Sequence, residues 1–158
     1  MPKPRIPRND RRTGIRPQPD RVFAVRLDGT NESLEARAWV APGTPRTAAS
    51  RVFVLIHGVG LTHRSYGRLA RRLVTSGTVI AVDLPGFGGL RHPKASLSVT
   101  AHAEDVKQIV TAMAVESYEV VGHSMGAQIA LELAIVDRER ARKVVLSGPI
   151  VNPNGTRC

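Results

Sequence analysis

Four apolar runs rich in β-branched residues alternate with stretches whose apolar residues recur at helical spacing. The runs are "RVFVLIHG" (51–58), "TVIAVDLPG" (78–86), "YEVVG" (118–122) and "KVVLSG" (143–148). The first two are apolar at consecutive positions, the pattern of a strand buried on both faces of a parallel sheet, and the last two read as further strands. Tyr66, Leu69, Ala70, Leu73 and Val74 mark one helix, which Gly77 is expected to stop. Val99, Ala103, Val106, Ile109, Val110 and Met113 mark a second, with Ser98 as its N-cap. A third is expected over Met125–Val136. The order β-α-β-α-β-α-β predicts an α/β fold: a mostly parallel sheet with right-handed crossovers and helices on both faces. Ligands in such sheets bind outside the carboxyl ends of the strands. The segments "HGVG", "DLPGFGG", "GHSMG" and "SGP" occupy those ends.

Ahead of this block, "VFAVRLDG" (22–29) and "SLEARAWV" (33–40) alternate roughly and flank the turn residues Asp28, Gly29 and Asn31. They predict an N-terminal antiparallel hairpin. Residues 41–50 read as a loop. Residues 1–21 hold five prolines, seven basic and two acidic side chains, half of the net charge of +10 in a short segment. Such a segment buries too little apolar surface to offset its ordering entropy, so a disordered basic leader is expected, followed by one domain over 22–158. The leader lacks the aromatic residues that stack on bases, which argues against a nucleic-acid-binding arm. No apolar segment follows Arg11-Arg12, so an export signal is rejected. No apolar run reaches the roughly 18–20 residues of a membrane span. The one cysteine is Cys158, so no intrachain disulfide forms and a cytoplasmic location is the default.

The segment with the sharpest chemistry is "VVGHSMGAQIALELA". Gly122-His123-Ser124-Met125-Gly126 matches G-x-S-x-G, with a strand before it and a helix after it, as a nucleophile elbow requires. Gly122 and Gly126 are the supporting turn, where a side chain would clash between strand and helix. The free N–H groups of the helix start favour developing negative charge at Ser124. A phosphate-binding loop is excluded because no lysine follows the glycines, and the dinucleotide fingerprint fails in its spacing. In His57-Gly58-Val59-Gly60 the Val59 N–H could join that of Met125 around one oxyanion, with Gly58 admitting a substrate carbonyl.

In order and spacing, "VFVLIHGVG", "VIAVDLPGFGG", "VVGHSMGAQIALELA" and "VVLSGP" resemble successive landmarks of the α/β-hydrolase fold superfamily. The resemblance spans about 22–149. It implies Ser124 as nucleophile, Val59 and Met125 as oxyanion-hole residues, and Asp83 as a structural residue. It implies hydrolysis of an ester or similar acyl bond without metal or other cofactor. A serine rather than an aspartate at the elbow disfavours the dehalogenase and epoxide hydrolase branches.

A serine hydroxyl needs an adjacent base, and in this fold the acid and the histidine follow the serine in the chain. All five histidines, His57, His63, His92, His102 and His123, precede Ser124. His123 adjoins the serine but should point away from it, and His57 has the place of a structural residue. His63 and His92 read as solvated loop residues, and His102 as the flank of the second helix. Glu132, Asp137 and Glu139 read as a solvated face, while Asn152 and Asn154 are not carboxylates. No acid or base of a triad is found. The chain therefore reads as the N-terminal portion of a hydrolase, lacking the last strands and the lid, with negligible turnover by itself. Base help is worth about 10²–10⁴ in rate. The alternatives are a non-catalytic binding module or one half of a split hydrolase. The last strand should form an exposed edge open to self-association. The expected partner is a small-molecule substrate, with no specific nucleic acid and no membrane.

Overall fold

The computed structural model of the chain describes the backbone at residues 21–27, 34–41 and 51–149, and side chains at 51–149. The order is β1 (Arg21–Leu27), β2 (Leu34–Ala41), β3 (Arg51–Ile56), a 3₁₀ turn (His63–Tyr66), α1 (Gly67–Leu73), β4 (Gly77–Asp83), α2 (Val99–Ala112), β5 (Tyr118–His123), α3 (Met125–Val136) and β6 (Ala141–Ser147). Arg21, read above as leader, opens β1. Residues 1–20, the hairpin turn, the 42–50 loop and the tail with Asn152, Asn154 and Cys158 lie outside the described residues.

One six-stranded sheet runs β1-β2-β4-β3-β5-β6. The pairs β1/β2 and β2/β4 are antiparallel, whereas β4, β3, β5 and β6 form a four-stranded parallel block. Alternate residues serve opposite faces, as the strand period of two demands. Val54, Ile56, Ile80, Val82 and Val120 join Val106, Ile109 and Val110 of α2 and Ile129, Ala130 and Leu133 of α3 in the larger core. Phe53, Leu55, Val79 and Ala81 form the smaller core under α1 with Tyr66, Leu69 and Leu73. Helices therefore cover both faces, as the sequence pattern predicts.

Ser98 caps α2 as expected, accepting from the Ala101 N–H at 3.0 Å. Gly77 departs from its expected role. It does not stop α1 but begins β4, where a Cβ would overlap the Arg51 carbonyl oxygen of β3. The helix stops earlier, in a turn where the Ser76 N–H bonds to the Leu73 carbonyl at 2.8 Å. The glycine is spent on close strand approach, a demand that sits on the neighbouring strand and not in the local pattern. The chain passes from β3 to β4 on one side and then from β4 across to β5 on the other. The order reverses at β3, so a crevice opens outside the carboxyl ends of β3 and β5.

Candidate active site

Ser124 stands at that crevice, on the one residue between β5 and α3. Its backbone has φ 55° and ψ −117°, a region an L-residue enters only under constraint. The surroundings supply the constraint. A Cβ on Gly122 would overlap the Gly126 carbonyl oxygen, and a Cβ on Gly126 would overlap that of Ile56. Strand, turn and helix thus touch backbone to backbone. The Ser124 N–H bonds to the Ser147 carbonyl at 3.0 Å, and the Ser124 carbonyl accepts the Ala127 N–H at 2.9 Å. Neither bond uses the N–H of Met125, the first residue of α3. The serine hydroxyl makes no capping bond to α3, and the helix has no acidic residue in its first turn, so its positive end is left to the crevice.

The second candidate donor lies on the loop after β3. The Leu61 N–H bonds to the Gly58 carbonyl at 3.1 Å, closing a turn with Gly60 at φ 71°. That bond leaves the Val59 N–H out of the turn, and the Val59 side chain is exposed. Gly58 admits the loop to the serine: a Cβ there would stand 3.1 Å from the Ser124 Cβ and 3.1 Å from the His123 carbonyl oxygen. The six residues singled out from the sequence, Gly58, Val59, Gly122, Ser124, Met125 and Gly126, therefore belong to two neighbouring segments at one end of the sheet.

The histidines have other duties. His57 is fully buried. Its Nδ1–H donates to the Gly58 carbonyl at 2.9 Å, and its Nε2 faces the Leu84 N–H at 3.4 Å. The ring stands edge-on to Phe87, with centroids 5.0 Å apart. Burial holds its pKa below the ordinary histidine value, against the opposing pull of the Gly58 carbonyl and of Asp83. It is a neutral brace for the loop. The His123 Nδ1 lies 3.2 Å from the Ser147 carbonyl, directed at β6. His92 is exposed, as read from the sequence.

Three of the sequence expectations need correction. His63 is not a solvated loop residue: it opens the 3₁₀ turn and bonds to buried Asp83 through both its backbone N–H and its ring. His102 is buried beside Asp105, with 3.6 Å between Nδ1 and Oδ2, rather than on an open flank. Asp137 is not on a solvated face. It is buried and accepts the Tyr118 O–H at 2.7 Å and the Arg140 Nε at 2.9 Å, which closes the end of α3 onto the start of β5. These partners are remote in sequence or lie past a helix end, so local polarity misreads them. Among the described residues, no three His, Cys, Asp or Glu side chains are arranged to hold a metal, and no helix is long and apolar enough to cross a membrane.

The family model of the α/β-hydrolase fold matches residues 51–156. The chain belongs to that family. An uncharacterised protein of Mycobacterium tuberculosis is 34% identical over 90 residues, which cover 54% of this chain and 26% of its own length. The 2-hydroxymuconate semialdehyde hydrolase of Pseudomonas sp. strain CF600 is 36% identical over 99 residues, 60% of this chain and 35% of its own. Among solved structures, a membrane phospholipase A described as a bacterial virulence factor superposes with a TM-score of 0.68 at 31% identity. That match covers 80% of this chain and 38% of the phospholipase. The chain thus spans about a quarter to two-fifths of the length of these relatives, and carries the N-terminal portion of the fold.

Proposed function

We propose that this chain carries the nucleophile and the oxyanion-binding groups of a serine hydrolase acting on an ester or similar acyl bond. The observation that carries the reading is the backbone of Ser124. Its positive φ is held by glycines packed against backbone on either side, at the start of a helix to which the serine side chain makes no capping bond. Strain of this kind is costly and persists where the surroundings over-determine it. The likeness to a semialdehyde hydrolase and a phospholipase supports hydrolysis.

In this reading the Ser124 Oγ attacks the substrate carbonyl carbon and passes its proton to a base. The carbonyl oxygen becomes an oxyanion and is received by the N–H groups of Val59 and Met125. Collapse of the adduct expels the leaving group, protonated by the same base, and leaves an acyl-enzyme for water to hydrolyse. In this reading the acid and the histidine of the triad come from polypeptide outside the described residues, since the His57 ring is turned to Gly58 and Leu84 and the His63 Nδ1 to Asp83. The 158-residue chain by itself then has negligible turnover. The test is a fluorophosphonate probe applied to the full natural polypeptide, with the adduct located by peptide mass. The expected adduct sits on Ser124 and is lost in Ser124→Ala; an adduct elsewhere, or none, rejects the reading.

A second reading, association through the β6 edge, rests on a separate observation. Val145 (51% exposed) and Leu146 (41%) lie on β6, and Leu131 (52%) and Ile135 (64%) on the adjoining α3. Large apolar groups clustered at a strand edge favour pairing with a further strand, here one from a second copy. Sedimentation velocity across a concentration series tests it: dimerisation supports the reading, and a single monomer boundary up to 100-fold concentration rejects it.

A further inference from the structure

The phenol of Tyr66 reaches the end of β3, the strand that leads into the Val59 loop of the proposed site. Tyr66 closes the 3₁₀ turn ahead of α1, and its ring is buried in the smaller core. Its O–H donates to the Ile56 carbonyl at 2.7 Å. Ile56 is the last residue of β3. The backbone of His123, the last residue of β5, draws the phenol's pKa down. Burial outweighs that effect and pushes the phenol up to about 12, so the hydroxyl stays a donor at neutral pH.

Both candidate oxyanion donors hang from these strand ends. Val59 follows Ile56 by three residues, and Met125 follows His123 by two. The Ile56 carbonyl is contacted by a second group as well, since a Cβ on Gly126 would overlap its oxygen. The oxygen therefore meets both the Tyr66 hydroxyl and the first turn of α3.

We propose that Tyr66 is a positioning residue: its hydroxyl fixes the Ile56 carbonyl against the first turn of α3, and through it the spacing of the Val59 and Met125 N–H groups. This rests on the serine hydrolase reading above. The side chain touches no reacting atom in that scheme and acts through the backbone. Misplacement by about 1 Å costs on the order of 10²-fold in rate, so a shift of a few tenths of an ångström is worth roughly tenfold. Phenylalanine would keep the ring and its packing but lose the tie. Tyr118 supplies a control, because its buried hydroxyl bonds to Asp137 and it opens β5 at the opposite end.

The experiment measures fluorophosphonate labelling of Ser124 in the full natural polypeptide, as a maximal labelling rate and a half-saturating probe concentration. Tyr66→Phe is expected to lower the maximal rate about tenfold while leaving half-saturation within twofold. Tyr118→Phe is expected to lower the melting temperature but keep the labelling rate. Labelling of Tyr66→Phe within twofold of wild type overturns the positioning role alone, with Ser124 still the nucleophile. A wild type that does not label, or a Ser124→Ala variant that does, overturns the serine reading and the positioning role with it. Should Tyr66→Phe not fold, nuclear magnetic resonance on the wild type decides. A slowly exchanging Tyr66 hydroxyl proton supports the tie, and a hydroxyl in fast exchange with water overturns it.

Discussion

His63 and Asp83 are joined twice: the His63 backbone N–H meets Asp83 Oδ1 at 2.7 Å, and the ring Nδ1 meets Oδ2 at 2.7 Å. The carboxylate is fully buried at the end of β4, and Gly88 packs so close that a Cβ there would stand 2.6 Å from Asp83 Cγ. The pair ties down the far end of the loop that begins at His57. Asp83→Ala would strand two donors that now meet a charged acceptor, each bond being worth about 1.5–3 kcal/mol. We expect a loss of at least about 3 kcal/mol in urea unfolding. A loss under about 1 kcal/mol would show that the loop is held by other contacts.

Gly126 and Gly60 make a contrasting pair. A Cβ on Gly126 meets backbone on two sides, the carbonyl oxygens of Ile56 and of His57, the latter at 2.6 Å. Backbone cannot turn aside as a side-chain tip can. Gly126→Ala should therefore fail to yield folded protein, or lose more than about 4 kcal/mol. A Cβ on Gly60 meets nothing within 4 Å and suffers only from φ 71°, so Gly60→Ala should cost about 1–2 kcal/mol. Equal melting temperatures for the two variants would contradict this account of the elbow.

The centre of the parallel block was legible because β3 and β4 are buried on both faces, which forces apolar residues into consecutive positions at 51–56 and 77–83. The elbow was legible because its glycines answer a steric demand written within five residues. The braces were not. Nothing local distinguishes His63 from a solvated histidine, since its partner lies twenty residues on. Asp137 looks like a polar residue past a helix end until Tyr118 and Arg140 close over it. The hydroxyl of Tyr66 carries no signal in a pattern that needs only an aromatic ring at that place. The one available hint was Asp83, an acidic residue ending an apolar strand, which in a folded chain must find donors.

The exposed apolar groups of α3 are separated by one helical turn, so opposite charges can be set there without new strain. Leu131→Glu combined with Ile135→Lys places an acid four residues ahead of a base, the favourable order on a helix. Both sites are more than half exposed, so stability should stay within about 0.5 kcal/mol of wild type. Self-association measured by sedimentation should weaken. Unchanged association alongside unchanged stability would remove this face of α3 from any interface.

His57 predicts a pH dependence with a definite sign. Burial holds its pKa below the ordinary 6.5 in the folded protein. As pH falls through that value, the unfolded chain takes up a proton before the folded one does. Stability therefore falls with decreasing pH, by up to about 1.4 kcal/mol per unit, until the folded histidine also protonates. His57→Asn keeps a donor near the Nδ1 position and removes the titration. Its unfolding free energy should fall less steeply between pH 6.5 and 5 than that of wild type. Parallel slopes would mean that His57 takes up its proton as readily in the folded as in the unfolded chain.

Ser124 itself offers the last test, because a strained residue trades stability for reactivity. Its φ of 55° and ψ of −117° cost about 1–3 kcal/mol for a residue with a side chain. Glycine adopts positive φ freely but loses about 0.5–1 kcal/mol through its greater freedom in the unfolded chain. Ser124→Gly should therefore raise stability by about 1 kcal/mol, while abolishing the proposed nucleophile. The hydroxyl makes no capping bond to α3, so its removal takes away no such support from the helix. Ala114, at φ 52° just past the end of α2, is the comparison. Ala114→Gly relieves strain of the same kind outside the elbow, and should stabilise without touching fluorophosphonate labelling of the full natural polypeptide. If Ala114→Gly stabilises and Ser124→Gly does not, the serine is held by contacts its backbone angles do not reveal, and strain ceases to be an argument for its role.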